Sequence, residues 1–182
     1  MIFDYDAEFI DKIKEKSNVN YKVEPGAIIY PNCTIGEGSI IGANAVLRPY
    51  TVIGNNTIFG TLACSEGHNK IGDNCTIHAQ SHITSRTTIG NNCFIGAFFL
   101  ATNTRDITKG KHGTKTEGHP DLLPTVIEDN VIVGACVNFI PGITIGHDSL
   151  IYQNTLITKD VPPYSIVKGG KGSVGQVIGS TK

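Results

Sequence analysis

Glu66, His68, His82, Arg86, Asn103 and Arg105 are the side chains of this chain best suited to chemistry, and they fall in one stretch. A histidine titrates near neutrality and can take a proton from a reacting group. An asparagine amide can orient a reactant or hold a developing oxyanion, and guanidinium groups pair with a diphosphate. Either His82 or His68 is therefore the candidate base, with Asn103 as the orienting or oxyanion-stabilising group. Glu66, Arg86 and Arg105 are the candidate substrate-binding groups.

The elements that position these residues are set by a six-residue register. Val23, Ile29, Ile35, Ile41, Leu47, Ile53, Phe59, Ile71, Ile77, Ile83, Ile89 and Ile95 recur at that spacing, and Ser65 is the one miss. A second register of small residues runs two positions ahead: Cys33, Ser39, Ala45, Thr51, Thr57, Ala63, Cys75, Ser81, Thr87 and Cys93, broken by Asn69. Glycine follows many of the aliphatics, often with Asn or Asp next, as turns with positive φ require. A helix repeats near 3.6 residues and a half-buried strand near 2, so neither explains a hexad. Short strands with a turn every six residues build a solenoid whose coils cover one another's apolar faces.

The register resumes at Ile127, Val133, Phe139, Ile145, Ile151 and Ile157, offset by two residues from the first run. Thr102 to Thr125 is thus an insertion of 24 residues, rich in Lys and His and without the repeat. Loops of that length are often functional. Asp4 to Lys16 has the pattern of a short amphipathic helix that caps the open lower coil. The organisation expected is one domain: an N-terminal helical cap (1–20), lower coils (23–101), the inserted loop (102–125), upper coils (126–163) and a loose, glycine-rich C-terminal tail (164–182).

A net charge of −1 argues against nucleic acid or an anionic membrane as the main partner. No apolar run is long enough to insert into a membrane, and the N-terminus lacks the regions of a signal peptide, so a cytoplasmic protein is expected. Of the 5 cysteines, Cys33, Cys75 and Cys93 lie in the small-residue register, and no CxxC pair exists, so packed thiols are expected rather than a metal or redox site.

The hexad register resembles the hexapeptide-repeat, or isoleucine-patch, family. The resemblance implies an all-β left-handed parallel β-helix with three hexads per coil, in which residues 18 apart stack. The segments Val133-Gly134-Ala135, Pro141 to Gly146 and Ile157 to Tyr164 look like the C-terminal coils of its CoA-dependent acyltransferases. That likeness implies a homotrimer with acetyl-CoA, as acyl donor, in the cleft between adjacent prisms. Carried over, Ala135 and Gln153 offer backbone groups to the pantetheine, Thr158 and Lys159 lie beside its outer part, and Lys168 meets a CoA phosphate. Gly169-Gly170-Lys171-Gly172 departs from the family's usual Gly-Asn-Pro-Ala run.

On the acceptor side, Phe94-Ile95-Gly96 followed by Thr102-Asn103 is similar to the N-acetyltransferases of nucleotide-linked amino sugars, used in surface polysaccharide or glycan synthesis. In that group the Asn lies near the acceptor amine. Stacking by 18 then sets Glu66, Thr84 and Thr102 in one column, Gly67, Ser85 and Asn103 in the next, and His68, Arg86 and Thr104 in a third. A sugar O-acetyltransferase is the alternative within the family, although the stretch Thr102 to Asp106 lacks the His those enzymes carry. A zinc site like that of γ-class carbonic anhydrases is disfavoured because Ala79 and Thr84 stand where its ligands would be. A non-catalytic β-helix scaffold is the remaining alternative.

Overall fold

The computed structural model describes residues 20–105 and 122–182. The expected N-terminal helix and residues 106–121 of the insertion lie outside them. Two-residue strands separated by four-residue corners wind into a left-handed parallel β-helix of about seven coils. The first face runs from Lys22–Val23 through Ile40–Ile41, Ile58–Phe59, Thr76–Ile77, Phe94–Ile95 and Ile132–Val133 to Leu150–Ile151. The second contains Val46–Leu47, Cys64–Ser65, His82–Ile83, Leu100–Ala101, Asn138–Phe139 and Leu156–Ile157. The third contains Val52–Ile53, Lys70–Ile71, Thr88–Ile89, Val126–Ile127 and Thr144–Ile145.

Each strand points its first residue outward and its second inward, which is why one aliphatic per hexad suffices. Ile41, Leu47, Phe59, Ile77, Ile83 and Ile95 are fully buried, and each contributes about 1.5–3 kcal/mol of transfer free energy. Residues 18 apart are in register throughout the lower coils, as in Thr76 with Phe94 and His82 with Cys64. Past the insertion Phe94 pairs with Ile132. The loop therefore leaves the prism between the second and third faces and returns without disturbing the stack.

The small-residue register has a hydrogen-bonding purpose on the edge joining the third face to the first. Ser39 Oγ, Thr57 Oγ1, Cys75 Sγ and Cys93 Sγ each donate to a backbone carbonyl of the next coil. Three of them also accept the backbone N–H of the residue 18 further on. These buried cysteines are members of a hydroxyl and thiol ladder, and all five cysteines are free.

The miss at Ser65 is resolved inside the prism. Its side chain is fully buried, and its hydroxyl lies 2.7 Å from Thr51 Oγ1 and accepts from Asn69 Nδ2 at 2.8 Å. Asn69 Oδ1 accepts the Thr87 N–H at 2.8 Å. The two register breaks, Ser65 and Asn69, are thus partners in one buried polar network, as buried polar groups require.

The C-terminal residues differ from the expected loose tail. Ser165–Gly169 joins the first face beside Leu150–Ile151, and Gly175–Ser180 folds back on it as an antiparallel strand. Glycines at 169, 170 and 172 serve the tight connection, Gly172 at φ +72°. Val167 is buried, and its burial against the top coil holds the hairpin down.

Candidate functional site

The second face, with the corners on either side of it, carries the candidate site. His82 is the outward residue of its strand, and Glu66 ends the coil below at the corner between the second and third faces. His82 Nε2 lies 2.8 Å from Glu66 Oε1, and both side chains are partly exposed, at 43% and 34%. A carboxylate only accepts, so the imidazole proton sits on Nε2 and Nδ1 carries the free lone pair when the ring is neutral. The hydrogen bond to Glu66 holds His82 above its ordinary value, against the opposing effect of partial burial. His82 in turn draws Glu66 below the usual carboxylate range, with a further contribution from the Arg48 charge.

Glu66 is fixed by a device that recurs along the chain. Its Oε2 accepts the Ser85 N–H at 3.3 Å, as Glu24 accepts Ala43 N–H and Glu128 accepts His147 N–H. Only Glu66 of these three has a histidine sixteen residues on, the residue that occupies its second oxygen. The corner beneath is also unusual: Gly67 at φ +100° is followed by His68 at φ +52°, a pair of left-handed residues that needs glycine at the first position.

Asn103 closes the site from above. Its Nδ2 donates to the Ser85 carbonyl at 3.2 Å, and its Oδ1 accepts from Thr104 Oγ1 at 3.2 Å. The Asn103 carbonyl accepts the Leu123 N–H at 2.8 Å, where the chain returns from the insertion. The backbone N–H and carbonyl of one residue, Ser85, therefore link Glu66 to Asn103 across three coils. Asn103 is itself buried, as are the hydroxyls of Thr84 and Ser85, which have no hydrogen-bond partner among the described residues. Such orphaned groups cost about 1–3 kcal/mol each and are concentrated on this edge, since Thr87 and Thr125 complete the set.

The structure separates the two candidate histidines. His68 is exposed and stacks on Tyr50, with ring centroids 4.7 Å apart and 25° between planes. Arg86 is exposed one coil above His68, and Arg105 is exposed at the start of the insertion. Glu66, expected to touch substrate, is bonded to His82 and Ser85. Arg48 and Tyr50 are the nearby residues that the sequence reading passed over. For the dyad, the available signal was a Glu directly after a strand with a His sixteen residues later.

The donor-side candidates divide between two edges. Ala135 and Gln153 occupy equivalent corner positions between the first and second faces, in successive coils. Their N–H groups make no hydrogen bond among the described residues, whereas those of the flanking Gly134, Cys136 and Asn154 do. Two free amides one coil apart on an open edge fit the amide carbonyls of a pantetheine arm. Thr158 and Lys159 are exposed at the opposite edge of the second face, and Lys168 is exposed on the strand that ends the first face. Among the described residues no three His, Cys, Asp or Glu side chains are grouped to hold a metal ion. No described helix is long and apolar enough to cross a membrane.

The family model for bacterial transferase hexapeptide, six repeats, matches residues 20–49 and 70–98, and that for the hexapeptide repeat of succinyl-transferase matches residues 124–159. Together they cover about half of the chain. The bifunctional protein GlmU of Geotalea daltonii is 44% identical over 68 residues, 34% of this chain and 15% of that protein. Galactoside O-acetyltransferase of Escherichia coli is 36% identical over 58 residues, 32% of this chain and 29% of that protein. The chain spans less than a third of the length of these curated relatives. A perosamine N-acetyltransferase from Caulobacter crescentus, solved with CoA and GDP-perosamine, shares the fold with a TM-score of 0.55 at 18% identity, over 95% of this chain and 65% of that one.

Proposed function

Because this chain belongs to the hexapeptide-repeat transferase family, we propose that it is an acyl-CoA-dependent acyltransferase that moves an acetyl group onto the amine of a nucleotide-linked amino sugar. The observation that carries acyl transfer, whichever acceptor is used, is the partly exposed His82–Glu66 pair on the second face. The amine nitrogen attacks the thioester carbonyl carbon, a C–N bond forms, and the carbonyl electrons move onto oxygen. His82 Nδ1 takes one amine proton, and the resulting imidazolium is stabilised by Glu66. The carbonyl re-forms, the C–S bond breaks, and the proton held by His82 passes to the departing thiolate. Asn103 holds the Ser85 corner at the floor of the site, and its second amide hydrogen is available to the oxyanion.

The donor is held by Ala135 N–H and Gln153 N–H, with Lys168 as a point charge for a phosphate. Thr158 and Lys159 serve its outer part. A single prism keeps these two groups apart by the width of a face, whereas a cleft between two prisms brings them together. The first face supports such packing: Ile58, Phe94 and Ile132 are 42%, 41% and 48% exposed, an apolar surface suited to further copies in a homotrimer.

Transfer to a sugar hydroxyl is the second reading, favoured by the dyad itself, since a hydroxyl depends on a base more than a neutral amine does. Incubating the chain with acetyl-CoA and a panel of nucleotide-linked amino sugars, then treating the products with hydroxylamine, separates the two. An N-acetyl product resists cleavage and an ester does not. Absence of any acetylated product, together with no rise in melting temperature at millimolar acetyl-CoA, would overturn both.

A further inference from the structure

Every coil turns its corners through a residue in the left-handed region, and the three edges fill that position differently. Between the third and first faces, below the top corner at Tyr164, it is held by Gly38, Asn56, Asn74, Asn92, Asn130 and Asp148. These are the residue types that tolerate such a φ at low cost. Their side chains also form a continuous ladder, Asn74 to Asn92 to Asn130 to Asp148. The other two edges depart from this: between the first and second faces the position passes to Leu62, Gln80, Phe98 and Cys136, and between the second and third faces, above Asn32, to Tyr50 at φ +62°, His68 at +52° and Arg86 at +68°. Bulky residues at positive φ carry a local conformational cost wherever they occur, and what sets the column between the second and third faces apart is that its residues combine two stacked rings with a guanidinium.

All three side chains are exposed and occupy successive coils at one corner position. Successive rungs lie about 4.8 Å apart, which matches the 4.7 Å between the stacked Tyr50 and His68 rings. Arg86 is on the next rung, in the same coil as His82. Below Tyr50 the column continues in the smaller Asn32, and Arg48 stands two residues before Tyr50 at the same corner. An aromatic pair at one end, guanidinium groups beside it and a proton acceptor at the other end form an ordered strip.

We propose that Tyr50, His68 and Arg86 form the nucleotide-binding strip of the acceptor, the aromatic pair taking the base by stacking and Arg86 taking the diphosphate. This rests on the acyl-transfer reading for the sugar end, which the strip would deliver to His82. A nucleoside diphosphate is the ligand class that combines a flat base and a compact double anion in that order. Base stacking on aromatic side chains and diphosphate pairing with Arg supply the recognition.

Replacing each residue with the asparagine used on the ladder edge tests the strip without disturbing the turn. Titration calorimetry is performed on the full chain with UDP, dTDP, GDP and inorganic pyrophosphate. The expected result is that at least one nucleoside diphosphate binds more tightly than pyrophosphate. Tyr50→Asn weakens that nucleotide about tenfold and leaves pyrophosphate unchanged, while Arg86→Asn weakens both. Melting temperatures of both variants stay at or above that of the parent chain. The proposal is overturned if no nucleoside diphosphate exceeds pyrophosphate, or if Tyr50→Asn binds the nucleotide as the parent does. Acetyl-CoA binding by the same samples keeps the outcomes separate. A chain that binds acetyl-CoA but no nucleotide loses the strip alone, and one that binds nucleotide through Tyr50 but not acetyl-CoA keeps the strip and loses the transfer reading.

Discussion

His82 and Glu66 meet at 2.8 Å although they are sixteen residues apart, two short of the stacking interval. The carboxylate leans from its corner across the rung to the outward residue of the strand above, while its other oxygen holds the Ser85 N–H. Such a lean gives the imidazole one defined tautomer and leaves Nδ1 without a hydrogen-bond partner among the described residues.

Glu66→Gln weakens the hydrogen bond and removes the charge that together raise His82, so its effect has a definite sign. A base works in its neutral form, and the acid limb of kcat/KM in the parent chain therefore lies above the ordinary histidine value. In the variant that limb moves to lower pH and the plateau rate falls. A pH–rate profile of both proteins reads the displacement, and an unmoved or upward-moved limb contradicts the assignment.

The same pair makes stability depend on pH. Glu66, lowered in the folded chain, contributes above its unfolded pKa and loses that contribution as pH falls. His82, raised in the folded chain, contributes below its unfolded pKa and loses that contribution as pH rises through the folded value. The melting difference between parent and Glu66→Gln is thus largest at about pH 5 to 6 and shrinks on either side, which calorimetric scans across pH measure. A difference that grows at alkaline pH would be inconsistent with the pair.

Ser65→Ile restores the aliphatic register and yet is expected to destabilise. The new side chain leaves Asn69 Nδ2 with only the Ile83 carbonyl and Thr51 Oγ1 with only the Arg48 carbonyl, and it forces a larger aliphatic group into a closed polar network, at about 1–3 kcal/mol. Adding Asn69→Ala to Ser65→Ile costs less than the sum of the two single losses, because the two sites share a network and their effects do not add. Chemical denaturation of the two single variants and the double variant measures the coupling, and strict additivity would refute it.

Much of this was legible in the chain because the hexad dictates both the strands and the stack. Ile77 and Ile95 fall in register as the spacing requires, and the phase shift located the insertion between Leu100–Ala101 and Val126–Ile127. Ser65 was legible as a break, but its cause was not, because the partners Thr51 and Asn69 are joined by hydrogen bonds that no spacing encodes. The Glu66–His82 contact escaped the columns because side-chain lean moved it off the 18-residue interval. Ile166 and Val167 in the C-terminal hairpin were masked by surrounding glycines, which read as looseness when they mark a turn.

Asn103→Ala is expected to lower acyl transfer and also the melting temperature. Its amide is buried and holds the Ser85 carbonyl, so about 1 kcal/mol of stability is lost along with the alignment of the corner that seats Glu66. Transfer measured well below the melting point separates the two effects. An unchanged rate removes Asn103 from the site.

Ile132→Glu places a charge in the apolar surface of the first face while leaving the inward register intact. Light scattering should find trimers for the parent chain and smaller species for the variant, with strand content unchanged by circular dichroism. A monomeric parent chain would contradict the cleft that joins Ala135 and Gln153 of one copy to Thr158 and Lys159 of another.

The most direct test of the central claim is the rate of thiol release from acetyl-CoA, with the nucleotide-linked amino sugar that the panel identifies, for the parent chain and for His82→Gln. General-base catalysis contributes about 10²–10⁴-fold, so His82→Gln is expected to lose about a hundredfold or more with acetyl-CoA binding retained. A variant that releases thiol at the parental rate would contradict it.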